Sequence, residues 1–492
     1  MNKFKALILA LALSFVSTGC FEDNDDNLLS ASQINDFVWK GMNLFYLYKD
    51  DVPDLANNRF SSNQEYADYL NSYSSPENLF ESVIYNRQTV DRFSWIVDDY
   101  IALEQFFNGI STSNGMEYQI FRFSSNDTNR YGFVTHVLPN SHAAAIGVRR
   151  GDIFYGVNGE QLTGTNWRSL LSPSEYTINI GIYDDNGTPE TSDDSVVSSS
   201  ESVSLSKSQY TENPIFINDV LTIDGINIAY LMYNGFTGTD QFNKELNDVF
   251  GVFKSANATE LVLDLRYNPG GSVNTAILLS SLITGQLTGG VFSTEQWNSE
   301  FQEAYLNENT ELLINRFIDR YDGVPLNSLF LTKVYVLTTR RSASASELVI
   351  NCLYPYIQVV QIGTNTYGKY QASRTVYDSP NFGRQGANPG HTYAMQPLIF
   401  KSLNANGISD YFDGLAPDIL LGERPNNLGV LGDVNEPLLA EAIVEITGTG
   451  KSTKSKIDYV EITNDSKDLL PFSKEMYVDK EIPENLIKDI IL

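Results

Sequence analysis

The sequence predicts a multidomain α/β protein, and three observations indicate this class. A chain of 492 residues, of which 42% are hydrophobic and 12% aromatic, is long and apolar enough to fold into several cores. Near the N-terminus, apolar residues recur at helical spacing, as at Ile34, Phe37, Val38 and Met42. Beyond Pro214, apolar strands alternate with helical stretches, which predicts a sheet covered by helices on both faces.

The first 20 residues have the pattern of a lipoprotein signal. Lys3 and Lys5 precede an apolar run that is too short to span a bilayer, and residues 17–20 end in Cys20 as a bacterial lipobox does. We therefore expect a signal peptide at residues 1–19, acylation of Cys20, and a flexible acidic tether at residues 20–30. A cleaved signal with a chance cysteine is the alternative.

The acidic tether predicts where the protein is anchored. Its run from Glu22 to Asp26 resembles the surface-export signals of Bacteroidetes lipoproteins. We expect a lipid-anchored protein of the bacterial cell envelope, at the outer membrane and facing either the periplasm or the cell surface. If Cys20 is acylated, Cys352 is the remaining thiol, so no intramolecular disulfide is expected.

Charge and composition exclude several functions. The net charge of −28 and the pI near 4.4 argue against nucleic-acid binding, which needs a basic surface. The sequence has no HExxH motif and no Cys/His cluster, so we expect neither a metal nor another cofactor. Its three histidines, two of them in the β-like middle of the chain, make a Ser-His-Asp triad an unfavourable interpretation. The oligomeric state cannot be read from the sequence.

The N-terminal and middle parts of the chain differ in pattern. Residues 31–112 predict a small helical domain, whereas residues 113–210 carry short β-like runs. In the middle part, a strand at 132–137, a short helix ending at Gly147 and a hairpin at 158–159 resemble a PDZ domain. Such domains take up the terminus of a peptide as an added strand. The polar stretch 184–201 is interpreted as a solvated hairpin, with an ion site formed by its acids as the alternative.

Two segments of the predicted α/β domain, residues 211–450, carry candidate chemistry. The segment 264–271 ends an apolar strand in Asn-Pro-Gly-Gly, where backbone N–H groups at the start of a helix are able to bind an anion. The segment 342–347, Ser-Ala-Ser-Ala-Ser-Glu, follows a second strand, and Lys369 follows a third. A buried lysine is able to take the proton of a serine hydroxyl. Taken singly, these features are also explained by a tight turn, a helix cap and a solvated lysine.

Together these motifs resemble the carboxy-terminal-processing or tail-specific proteases of peptidase family S41. Lys369 follows Ser344 by 25 positions, which agrees with the family and selects Ser344 over Ser342 and Ser346. The resemblance implies a crotonase-like ββα core with Ser344 as nucleophile and Lys369 as base. It also implies protein or peptide substrates that are unfolded or tagged at the C-terminus. For the oxyanion hole it implies backbone N–H groups of Gly270 or Gly271 and of Ala345.

One position departs from the family pattern. Relatives place a glutamine four residues after the lysine, where it orients the amine, but this chain has Ser373 there and Gln371 two residues earlier. Because alternate residues of a strand share a face, either side chain is a candidate for orienting Lys369. The alternatives are a catalytically weak pseudoprotease that binds peptides at the cell surface and a lipoprotein that captures glycans. Residues 451–492 lack a motif and are interpreted as a peripheral C-terminal tail.

Overall fold

The computed structural model describes residues 31–124, 126–188, 191, 193–449, 460–470, 473, 475–478, 482–483 and 486–487. The predicted signal peptide, the acylation of Cys20 and the tether at 20–30 lie outside the described residues. Over the described part of the chain, no helix has the length and apolarity needed to cross a membrane.

The N-terminal region is helical, as its apolar spacing predicts. Phe37, Val38 and Met42 lie on one face of the first helix and are buried. Ser62 and Ser75 cap the next two helices by accepting hydrogen bonds from backbone N–H groups three residues on. The elements are α1 (Ala31–Phe45), the 3₁₀ turns Lys49–Asp51 and Pro53–Leu55, α2 (Asn63–Asn71), α3 (Pro76–Ser82), β1 (Trp95–Val97) and α4 (Tyr100–Phe107).

The middle region is an antiparallel sheet with two short helices. Its strands pair in the order β3-β4-β5-β7-β8, with β6 on β5, and β2 pairs separately with β9. The stretch 184–201 is confirmed as a hairpin, since it joins β7 to β8. The elements are β2 (Ile110–Ser113), β3 (Met116–Arg122), β4 (Tyr131–Val137), α5 (His142–Ala145), β5 (Ile153–Val157), β6 (Glu160–Gln161), α6 (Trp167–Leu171), β7 (Glu175–Asp184), β8 (Ser195–Ser206) and β9 (Ser208–Thr211).

The α/β region is built on a sheet with strand order β10-β11-β12-β18-β19-β24, parallel except for β10. Alternate residues of β12 enter different cores: Leu261 and Leu263 pack with the helices α8 and α10, whereas Val262 packs with α11. Helices therefore cover both faces. The elements are β10 (Ile215–Ile223), β11 (Ile226–Tyr233), α7 (Asp240–Ser255), β12 (Glu260–Asp264), α8 (Val273–Thr284), β18 (Lys333–Thr338), α10 (Ala345–Leu353), β19 (Gln358–Gly363), β24 (Ile419–Leu420) and α11 (Pro437–Thr447).

A further sheet lies beside the ends of these strands and has the order β13-β26-β20-β23-β14-β15. Next to it, β21 and β22 pair with β1 of the N-terminal region. The elements are β13 (Gly271–Ser272), β14 (Val291–Trp297), α9 (Ser299–Glu308), the 3₁₀ turn Thr310–Leu313, β15 (Ile314–Arg316), β16 (Arg320–Tyr321), β17 (Val324–Pro325), β20 (Gln371–Ser373), β21 (Val376–Tyr377), β22 (Ala394–Gln396), β23 (Leu398–Leu403) and β26 (Met476–Tyr477).

The interpretation of residues 451–492 as a peripheral tail is wrong for the residues described there. β25 (Glu461–Asp465) adds to the edge of β3, a 3₁₀ turn follows at Ser466–Leu469, and β26 lies between β13 and β20. Further on, Leu486 is 2% exposed and belongs to the largest core. A strand pairs through its backbone, so a segment without a recognisable motif is able to complete a sheet formed elsewhere.

Candidate active site

The turn after β12 comes close to the candidate nucleophile, Ser344, at Gly270. Gly270 has a φ of +113°, and a Cβ placed on it would lie 2.5 Å from Ser344 Cβ and 2.5 Å from the carbonyl oxygen of Glu475. A side chain at this position is excluded by both backbone strain and space. The N–H of Gly270 donates to Asn268 Oδ1 over 2.9 Å. Gly271 in turn pairs with Met476 of the C-terminal segment, so Gly270 and Gly271 both stay candidate oxyanion donors beside Ala345.

The three serines of the segment 342–347 have different partners. Ser342 Oγ donates to the carbonyl of Leu265 over 2.8 Å, and Ser346 Oγ donates to that of Asn268 over 3.0 Å. Among the described residues, Ser344 Oγ has no hydrogen-bond partner, although it is fully buried. Ser344 has a φ of +63° and a ψ of −115°, a conformation that is costly for a residue with a Cβ. The hydroxyl that the structure leaves unengaged is the one that the spacing to Lys369 selects.

The Glu347 side chain accepts hydrogen bonds from the backbone of both candidate catalytic residues. Its Oε2 accepts the N–H of Ser344 over 2.8 Å and the N–H of Lys369 over 2.9 Å. Its Oε1 accepts the N–H of Gly368 over 2.6 Å and the hydroxyl of Thr366 over 2.5 Å. Burial raises the pKa of Glu347 to about 7, while these donors act in the opposite direction. One carboxylate thus sets the distance between the start of α10 and the lysine segment.

Lys369 is fully buried, and its amine lies 5.1 Å from the centre of the Phe93 ring. Burial lowers the pKa of Lys369 below its ordinary value, because the ammonium loses its hydration, and the carboxylate of Glu475 opposes this shift. Nζ lies 3.1 Å from Glu475 Oε2. A lysine with a lowered pKa is suited to act as a general base near neutral pH.

The two candidate lysine-orienting residues have other partners. Gln371 Nε2 donates to the hydroxyl of Tyr48 over 2.9 Å, and Gln371 Oε1 accepts no hydrogen bond from the described residues. Ser373 Oγ donates over 2.7 Å to Glu475 Oε2, the atom that also binds Lys369. The register of β20 shifts between Ala372 and Ser373, so the simple alternation assumed from the sequence does not hold there.

Sequence reasoning missed Glu475, which stands in the segment interpreted as a tail. Its carboxylate also accepts the indole N–H of Trp95 over 2.5 Å, so it joins the N-terminal region to the lysine. No local motif marks Glu475. The available signal was weak: an apolar run, Met476 to Val478, follows it directly and is compatible with a strand.

Two clefts meet at the C-terminal segment. Leu470, Ser473 and Glu475 contribute to the walls of both. One cleft also contains Phe107, Phe236, Pro269, Gly270 and Gly271. The other also contains Arg92, Phe93, Trp95 and Tyr367. The candidate active site therefore lies where the N-terminal, α/β and C-terminal parts of the chain come together.

The three histidines are engaged with residues other than Ser344. The His136 ring stacks on Tyr267 with 5.2 Å between ring centres, and His391 Nε2 lies 3.0 Å from Asp378 Oδ2. His142 accepts the N–H of Ser206. None of these contacts brings a histidine to Ser344, and Lys369 stays the candidate base.

Comparison with known families agrees with this arrangement. Residues 227–420 match the model of peptidase family S41, and residues 33–95 match the model of the S41 N-terminal domain. The chain belongs to peptidase family S41. This family consists of serine-type peptidases, and its two models together cover just over half of the chain.

The S41 chain has relatives among characterised and solved proteins. It is 27% identical over 206 residues to the tail-specific protease of Haemophilus influenzae. The matched stretch covers 40% of this chain and 25% of the relative. The chain thus matches about a quarter of the length of this relative. A crystal structure from Bacteroides fragilis, assigned to the S41 proteases, has the same fold with a TM-score of 0.63 and 24% identity, covering 84% of this chain and 98% of that one.

Proposed function

We propose that this S41 chain is a serine endopeptidase in which Ser344 is the nucleophile and Lys369 the general base. The observation that carries the proposal is the free hydroxyl of Ser344, placed at the start of α10 and joined through Glu347 to the segment of a buried lysine. The relative that is named for tail-specific proteolysis supports cleavage of protein substrates. Substrates are unfolded or C-terminally tagged chains.

The reaction proceeds in two halves. Ser344 Oγ bonds to the carbonyl carbon of the scissile peptide while neutral Lys369 takes the hydroxyl proton. The lysine then gives this proton to the departing amine nitrogen, so that the C–N bond breaks and an acyl-enzyme remains. In the second half, water replaces Ser344 as the nucleophile: its oxygen bonds to the acyl carbon while Lys369 takes its proton. The bond to Ser344 Oγ then breaks, and Ser344 regains its proton. The N–H groups of Gly270 or Gly271 and of Ala345 stabilise the oxyanion.

We further propose that residues 113–210 form a PDZ-like domain that binds the terminus of the substrate, and that residues 211–450, with β26 added to their sheet, form the peptidase domain. The support is the antiparallel sheet of the middle region and its hairpin at Asn158 and Gly159, which have positive φ values of 52° and 83°. We also propose lipid anchoring through Cys20 in the bacterial cell envelope, at the outer membrane. The lipobox-like ending of residues 17–20 supports it.

A weakly catalytic peptide-binding protein is the second candidate. The observation in its favour is the contact of 3.1 Å between Lys369 Nζ and Glu475 Oε2. A carboxylate at this distance favours the ammonium form, and an ammonium group cannot accept the proton of Ser344.

Mass-spectrometric mapping of cleavage distinguishes the two. Unfolded model proteins with free or amidated C-termini are incubated with the wild type and with Ser344→Ala, Lys369→Ala and the matched controls Ser346→Ala and Lys333→Ala. A peptidase loses about three orders of magnitude or more in rate with the first two changes and retains activity with the controls. Absence of serine-dependent cleavage by well-folded wild type supports the binding protein.

A further inference from the structure

The C-terminal segment around β26 runs through the active site as an extended strand. Met476 and Tyr477 pair in parallel with β13 on one side, and Tyr477 pairs in parallel with β20 on the other. The N–H of Val478 donates to the carbonyl of Ser373 over 3.1 Å. The strand thus fills a gap between the strand of the candidate oxyanion glycine and the strand that follows the candidate base.

The main chain of this segment also reaches the nucleophile. The carbonyl oxygen of Glu475 and Ser344 Oγ lie 2.5 Å and 2.8 Å from the same point, the place where a Cβ on Gly270 would stand. The Glu475 carbonyl and the Ser344 hydroxyl therefore both border the same small space beside Gly270. The side chain of Glu475 at the same time contacts Lys369.

The side chains of the strand enter formed subsites. Met476 is fully buried, and its sulfur accepts a hydrogen bond from Ser402. The Tyr477 ring stacks on Phe107 with 4.1 Å between ring centres, and its hydroxyl accepts the N–H of Gly238. One subsite thus holds an unbranched apolar side chain, and the next holds an aromatic ring.

We propose that the gap between β13 and β20 is the binding site for the substrate main chain, and that residues 475–478 occupy it in cis as a pseudosubstrate. The inference rests on the proposed peptidase function. The ligand is an extended peptide that adds as a parallel strand, with its scissile carbonyl at the position of Glu475, an apolar residue next and an aromatic residue after that. With the segment in place, the main chain at Glu475 lies beside Ser344 and its side chain contacts Lys369, so the site is latent.

Competition between the segment and an added peptide tests the proposal. The probe is a fluorescein-labelled peptide with the sequence of residues 473–480, and the host is the full chain carrying Ser344→Ala, so that no turnover interferes. Val478→Pro removes the N–H that binds Ser373 and weakens the cis strand, whereas the matched control Val478→Ala keeps this N–H. Fluorescence anisotropy gives the affinity of each host for the probe.

We expect the Val478→Pro host to bind the probe about fivefold more tightly than the Val478→Ala host, since one hydrogen bond of the competing strand is lost. A probe whose residue corresponding to Tyr477 is N-methylated is expected to bind at least about fivefold more weakly. Equal affinities in the two hosts, or no binding at millimolar probe, would overturn the inference. A benzophenone at the position of Tyr477 is expected to crosslink near Phe107, and crosslinks confined to residues 113–210 would also overturn it.

A second measurement covers the case in which Val478→Pro does not fold. Hydrogen exchange at the Val478 amide of the Ser344→Ala chain should accelerate when unlabelled probe is saturating, because the segment leaves the sheet. Unchanged exchange contradicts the inference. These readouts need no cleavage, so a chain that binds in this way but never cleaves refutes the proposed function alone. A chain that cleaves without competition refutes the inference alone.

Discussion

Arg150 Nη1 donates a hydrogen bond to the hydroxyl of Tyr267 over 2.6 Å. Arg150 belongs to the middle region, whereas Tyr267 precedes the Asn-Pro-Gly-Gly turn of the active site. The same tyrosine hydroxyl donates to Glu423, which also pairs with Arg150 over 2.8 Å. A buried charged network therefore joins the antiparallel sheet of the middle region to the loop that carries Gly270 and Gly271.

Loss of this connection should impair both stability and turnover. Arg150→Ala leaves buried groups of Glu423 and Tyr267 without one of their partners, so we expect a loss of about 3 kcal/mol in the free energy of unfolding. We also expect a lower kcat in the folded protein, because the Asn-Pro-Gly-Gly turn after Tyr267 is then held less firmly. Denaturant titration and steady-state kinetics measure the two effects. The exposed neighbour Arg149→Ala is the control, and equal behaviour of the two variants would contradict the role of the network.

Replacement of the Glu347 carboxylate by its isosteric amide should destabilise the protein. In Glu347→Gln, one NH₂ group replaces an oxygen that accepts two hydrogen bonds, so at least two buried donors lose their acceptor. We expect a loss of about 3 kcal/mol in the free energy of unfolding and a large loss of activity. The exposed Glu461→Gln serves as control and should change stability by less than about 1 kcal/mol. Wild-type stability of Glu347→Gln would show that the carboxylate does not fasten the two segments.

The acidic limb of the pH–activity profile should depend on Glu475. In the proposed mechanism activity requires neutral Lys369, so the rate rises as pH passes upward through the pKa of Lys369. The Glu475 carboxylate raises that pKa against the lowering by burial, and Glu475→Gln removes this effect. We therefore expect the acidic limb of kcat/KM to move to lower pH in Glu475→Gln. A limb that stays in place or moves to higher pH would contradict the predicted coupling.

A methyl group at position 270 should disable the site. Gly270→Ala combines a φ of +113° with overlap against Ser344 Cβ and the Glu475 carbonyl, both at 2.5 Å. Gly159→Ala is a matched control, since Gly159 also has a positive φ of 83° but has no neighbour within 4 Å of the added Cβ. We expect Gly270→Ala to lose activity and to be less stable than Gly159→Ala by about 1–3 kcal/mol in denaturant titrations. Equal stability of the two would show that the turn shifts freely.

The local parts of the fold and site were predictable from the sequence. Apolar spacing predicted the helix α1 and a strand before each of the segments 264–271 and 342–347 and before Lys369, where β12, β18 and β19 lie, because burial imposes a period on the chain. The motifs placed Ser344 and Lys369 at the ends of neighbouring strands. The assignment of catalytic roles to these two residues remains a prediction.

Other parts of the site depend on contacts that no local pattern encodes. Glu475 reaches Lys369 across 106 positions of sequence. The register shift at Ala372 and Ser373 breaks the alternation that the sequence suggested for Gln371 and Ser373, and it follows from how β20 pairs with β23. The use of the Gly270 N–H by Asn268 likewise depends on a turn geometry that the motif alone leaves open.

The wall shared by the two clefts has a consequence for what the protein is able to admit. Leu470, Ser473 and Glu475 border both openings, so withdrawal of these residues would join the two clefts into a tunnel. A tunnel is entered by a free end and accommodates one thread of polypeptide. It would select substrates by loss of tertiary structure more than by sequence, and a loop on the surface of an intact domain would be refused.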